Sequence, residues 1–146
     1  EPAIPTLLLE RWYHVVFTFD AGTCGYYIDG LPLANVTNTN TTVFDSTTDF
    51  CIGATHDCGT VDNEQEFDGS IDDVIVFYRV ITQAEVNYLF QNRGQVGRMQ
   101  DMAAYWQFNN GSSIVSSATT TNTLTNNNSS VFHTDVPWTG DIPQDF

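Results

Sequence analysis

The stretch RWYHVVFTFDAGTCGYYIDG, residues 11–30, decides the fold. Trp12 to Phe19 is an unbroken run of aromatic and β-branched residues, and alternation places Tyr13, Val15, Phe17 and Phe19 on one apolar face. That pattern predicts a strand with a buried face. Asp20, Ala21, Gly22 and Thr23 supply turn chemistry, CGYYI reads as the returning strand, and Asp29-Gly30 is a hairpin turn pair. The stretch therefore opens an antiparallel meander.

Working outward, residues 35–49 are rich in Asn and Thr and read as a polar connection with a short edge strand near Thr42 to Phe44. Phe50 to Thr55 reads as a short strand, and His56 to Glu64 as an Asp-, Gly- and Asn-rich loop. Ser70 to Val80 is the strongest strand pattern. Ile71, Ile75 and Phe77 stand on one side and Val74, Val76, Tyr78 and Val80 on the other, which predicts a strand buried on both faces. Thr82-Gln-Ala-Glu85 has capping-box spacing and precedes Val86, Leu89 and Phe90 on one helical face. A helix of about two turns should follow, with Gly94 as its stop. A polar linker then leads to an apolar strand, Ala103 to Phe108, and to a Ser/Thr/Asn-rich stretch from Asn109 to Ser130.

Composition narrows the partners. The 146 residues carry eighteen acidic groups against four arginines, a net charge of −14, which repels nucleic acid and anionic membrane. No apolar run approaches the roughly 18 residues of a membrane span, and Glu1 to Glu10 lacks the basic start and apolar centre of a secretory leader. Cys24, Cys51 and Cys58 are candidates for disulfides, with Cys51–Cys58 and Cys24–Cys58 both open and one thiol left over. Asn35, Asn40, Asn110, Asn127 and Asn128 each begin an Asn-x-Ser/Thr glycosylation sequon. Together these features suit a secreted protein in an oxidising, glycosylating compartment.

Three segments taken in order, residues 11–30, CIGA at 51–54 and FDGSIDDVIVFYRVITQAEV at 67–86, resemble the C-terminal half of laminin-G-like and pentraxin-like (concanavalin-A-like) jelly rolls. The tail AAYWQFNNGSSIVSSATTTNTLTNNN, residues 103–128, is similar to the opening strand of the same family. The resemblance implies an all-β fold, an antiparallel jelly-roll β-sandwich with one short helix. It divides the chain into residues 1–95 as the end of one module, a linker at 96–102, and residues 103–146 as the opening strands of a following or strand-donating module. The expected partners are neighbouring copies of the module, joined head to tail in a tandem or filament arrangement.

Pentraxin-like relatives hold Ca²⁺ through an acidic cluster straight after the Ile-Gly. Here that place is Ala54-Thr55-His56-Asp57, so only Asp57 keeps a ligand type. Asp57, Asp62 and Glu64 form the candidate calcium set, with Glu66 beside them, because Ca²⁺ takes six to eight oxygen ligands. A solvated acidic loop explains the same residues more simply. No cofactor is required by the pattern. Glu64 and Glu66 alternate so as to share a strand face, but they lack the motif of a glycosidase carboxylate pair, whose oxygens stand about 5–9 Å apart. No catalytic residue is assigned. Asp72 and Asp73 read as structural hydrogen-bonders at the sheet border, His14 as a satisfied sandwich residue, and Trp12 and Trp106 as core. The leading function is a non-catalytic extracellular structural or assembly module; the alternative is calcium-dependent binding of extracellular glycans.

Overall fold

A computed structural model describes residues 5–43, 50–54, 67–93, 96–97, 99–108 and 124. By internal contacts the chain falls into two compact units, one of Glu1–Val43 with Phe77–Asp101 and one of Phe44–Val76 with Met102–Phe146.

The first unit is built on a three-stranded antiparallel sheet in the order β1 (Val15–Asp20), β2 (Thr23–Ile28) and β3 (Leu31–Thr37). Each connection is a two-residue turn with both central residues at positive φ. Ala21 and Gly22 lie at 43° and 93°, Asp29 and Gly30 at 51° and 80°. This is the type I′ geometry whose twist matches that of the flanking strands. Pairing runs from Val15 opposite Ile28 to Asp20 opposite Thr23, and β3 continues it with Ile28 opposite Leu31. Between Gly25 and Tyr27 the register shifts, since Gly25 faces Asn35 while Tyr27 faces Pro32. β3 therefore spends one residue more than β2 there, a β-bulge.

Helix α1 (Gln83–Gln91) carries the expected capping box in full: the Thr82 hydroxyl accepts from the Glu85 N–H, and the Glu85 carboxylate accepts from the Thr82 N–H. Its C-cap is Asn92. Val86 and Leu89 are buried, 0% and 2% exposed, with Ile81 and Cys24 completing the buried apolar set among the described residues of this unit. α1 sits over the second turn. The Gln83 amide donates to the Gly30 carbonyl at 2.7 Å, and a Cβ on Gly30 would meet Phe90 and Asn87 at 3.2 Å. At that place glycine is favoured twice, for its φ and for the close approach.

A two-stranded sheet pairs β4 (Val74–Phe77), of which Val74 to Val76 belong to the second unit, with β5 (Met102–Trp106) of that unit. β5 therefore pairs within its own chain. Ala104, Tyr105 and Trp106 are buried, and Phe50 stacks on Trp106 with ring centroids 6.0 Å apart.

The described elements are mostly antiparallel strands in sheets with one short helix, an all-β arrangement. Four local expectations need correction. Asn35 to Thr37 belong to β3, not to a polar connection. Thr42 and Val43 are not in a strand. Phe50 to Gly53 form no strand either; Gly53 turns at φ 79° and its carbonyl accepts from Phe67 N at 2.8 Å. Finally, the strand expected over Ser70 to Val80 shrinks to four residues, because Asp73 at φ 50° breaks the extended backbone before Val74. None of its four residues is fully buried and Tyr78 is 78% exposed, so burial on both faces does not occur.

Candidate functional site

Alternation along the meander sorts its side chains onto two faces. Val15, Phe17 and Phe19 of β1 share a face with Cys24, Tyr26 and Ile28 of β2 and with Leu31 and Val36 of β3, all apolar or aromatic. The sequence predicts that this face is buried. In the structure Val15 is 66% exposed, Phe17 58% and Leu31 64%. Only near Cys24 is the face closed, and Phe17 packs sideways on Tyr26 with centroids 5.2 Å apart. The opposite face carries His14, Val16, Thr18, Gly25 and Tyr27, and α1 covers its turn end, where His14 lies 6.0 Å from Phe90. The open apolar face is the main candidate surface of the described residues, since contiguous exposed apolar area marks interaction sites.

The turn behind that face is held by one carboxylate. Asp29 accepts from the His14 backbone N–H at 2.9 Å and from the Arg11 guanidinium at 3.1 Å, while Arg11 also lies 4.9 Å over the Tyr13 ring. Burial lowers the pKa of His14, opposed by the charge of Asp29. Its Nδ1 is buried with no hydrogen-bond partner among the described residues, so the expectation of a satisfied histidine is not met.

A second polar anchor lies beside α1. Arg79 makes a two-pronged contact with Glu85 at 2.9 and 2.6 Å and reaches Asp101 at 3.4 Å. Hydrogen bonds from Arg79, then from the Thr82 backbone, pull the Glu85 carboxyl down to about 2. In the second unit, Asp73 accepts from the Tyr105 hydroxyl at 2.8 Å, and Asp72 accepts from the Asp73 N–H at 3.0 Å. Both carboxyl pKa values are raised, chiefly by burial, and Tyr105 is pushed up to about 12, again chiefly by burial. These are the structural hydrogen bonds expected of Asp72 and Asp73. Both carboxylates have partners already, which leaves neither placed as a free acid or base.

Asp57, Asp62 and Glu64 of the calcium set lie outside the described residues, as do Glu66, Cys58, Asn110, Asn127 and Asn128. Among the described residues no three His, Cys, Asp or Glu side chains gather as metal ligands, and no helix is long and apolar enough to cross a membrane. Asn35 and Asn40 are both exposed, the first on β3 and the second just beyond it. Cys24 is a free, buried thiol, which excludes the Cys24–Cys58 alternative, and Cys51 is disulfide-bonded. The Arg79–Glu85 contact and the identity of Tyr105 as the partner of Asp73 are not legible in the sequence; the Arg79 to Glu85 spacing across a helix start is the one signal that points to the first. No curated protein and no solved structure matches the chain. A family model does match, over residues 4–87, and its description is concanavalin A-like lectin/glucanases superfamily.

Proposed function

Since the chain belongs to the concanavalin A-like lectin/glucanases superfamily, with a laminin-G-like jelly-roll domain, we propose that it is a non-catalytic extracellular structural or assembly module. Domains of this kind are generally non-catalytic and typically extracellular. The observation that carries the reading is the open apolar face of β1 to β3, with Val15, Phe17 and Leu31 more than half exposed. Its partner is a neighbouring copy of the module, packed against that face. Desolvating the three side chains favours association, and the net charge of −14 opposes it, so association strengthens with salt. The local engagement of Asp72 and Asp73 supports a non-catalytic role.

Sedimentation velocity across a concentration series tests this. Wild-type protein should associate, more so at high salt, and Phe17→Asp should stay monomeric with an unchanged circular dichroism spectrum. A wild-type monomer at every concentration and salt level would overturn the reading. Calcium-dependent glycan binding remains the competing proposal, resting on Asp57, Asp62 and Glu64. Heat on titration with millimolar Ca²⁺, lost in a Glu64→Gln variant, would favour it.

A further inference from the structure

The two outer strands of the three-stranded sheet are built differently. β1 presents its outer edge with no proline, no bulge and a charge only at Asp20. β3 carries three features that hinder pairing with another strand. Pro32 has no N–H to donate, the bulge lies opposite Tyr26, and Asn35 is exposed within the sequon Asn35-Val36-Thr37. A second sequon, Asn40-Thr41-Thr42, follows at once, also exposed. Its segment is tied back to the first turn: Asn38 N donates to the Gly22 carbonyl at 2.6 Å and Asn40 N to the Asn38 side chain at 3.0 Å. Both acceptor asparagines are thus held at the β3 margin of the sheet. Neither lies on the open apolar face, because the Asn35 side chain crosses the opposite face, where its Oδ1 would lie 3.4 Å from a Cβ on Gly25.

We propose that Asn35 and Asn40 are both N-glycosylated, and that the two glycans hood the β3 edge while leaving the β1 edge and the apolar face open. The donor class is a lipid-diphosphate-linked oligosaccharide. The carboxamide nitrogen of Asn bonds to the anomeric carbon, the carbon–oxygen bond to the diphosphate breaks, the lipid diphosphate leaves, and the nitrogen gives up one proton. A glycan is compatible with folding only where the acceptor stays exposed, and both acceptors do. This inference stands apart from the assembly reading, since modification at β3 does not depend on what covers β1.

The test uses the full chain secreted from a eukaryotic cell. Peptide N-glycosidase treatment in ¹⁸O-water, followed by peptide mapping, should convert both Asn35 and Asn40 to labelled Asp. Asn35→Gln and Asn40→Gln should each remove one glycan from the intact mass. A secreted protein in which either site is unmodified overturns the paired hood. Sedimentation of the Asn35→Gln/Asn40→Gln double variant tests the hood itself. It should form larger species than the wild type at equal concentration, and an unchanged distribution overturns the edge role even if both glycans are present.

Discussion

The carboxylates of the two units have been pushed in opposite directions. In the first, Glu85 meets a guanidinium and a helix N-terminus, and its pKa falls to about 2. In the second, partial burial, helped by the neighbouring Asp72 carboxylate and opposed by the hydrogen bond from Tyr105, raises the pKa of Asp73. One of the four arginines, Arg79, pairs with Glu85 of α1, and among the described residues no arginine pairs with Asp72 or Asp73. An acid-rich, arginine-poor chain thus anchors one unit by an ion pair and the other by a tyrosine–carboxylate hydrogen bond and aromatic packing. Stability should therefore respond to pH differently in the two.

The largest effects should come from the buried apolar residues. Trp106→Ala removes the ring stacked on Phe50 and should cost about 3–5 kcal/mol, and Leu89→Ala, on the buried face of α1, about 2–5 kcal/mol. Denaturant titration followed separately by near-ultraviolet and helical signals checks both, and equal loss of every signal in both variants would erase the distinction between the units.

Smaller effects separate the two anchors. Thr82→Ala should cost about 1 kcal/mol through the lost cap. Tyr105→Phe should cost about 1 kcal/mol through the lost hydrogen bond to Asp73. On acidification the signs diverge. Glu85 is depressed, so its contribution is present above pH 4.5 and is lost as pH falls towards about 2. Asp72 and Asp73 are raised, so protonation favours the folded state and their unfavourable contribution is relieved as pH falls through their folded values. Urea melts of wild type and Tyr105→Phe between pH 7 and 3 check this: the Tyr105 hydroxyl favours the charged form of Asp73, so the variant should show greater relief on acidification, and parallel curves would sink the assignment.

His14 gives a subtler pH effect. Its folded pKa is below 6.5, so the folded state resists protonation and stability drops as pH passes below 6.5. His14→Phe should flatten that segment of the stability curve between pH 7.5 and 5.5. The smallest expected change is none at all: iodoacetamide should leave Cys24, 7% exposed, unlabelled in the native protein. Without reductant it should label one cysteine after denaturation, and peptide mapping should show Cys51 joined to Cys58. Three labelled thiols would break this assignment.

Local chemistry was the readable part. The Asp29-Gly30 turn follows from residues that tolerate positive φ, as does Gly22 in the first turn although Ala21 beside it does not favour that region, and the capping box follows from a contact three positions apart. The same holds for Val86 and Leu89, because helical periodicity selects the face. Asn35 to Thr37 escaped because Asn and Thr read as loop, whereas ladder pairing with β2 outweighs that preference. The calcium residues were legible only as a composition of acids on a loop, a pattern that does not establish convergence.

The sequence by itself determined the strand alternation, the meander, the capped helix and the family to which they belong. Tertiary structure decided which apolar face is covered, where Asp73 cuts short the strand before Val74, and which carboxylate receives a cation. Alternation divides side chains between two faces without saying what lies against either. Burial and pKa depend on neighbours distant in sequence, and those neighbours exist only once the chain has folded.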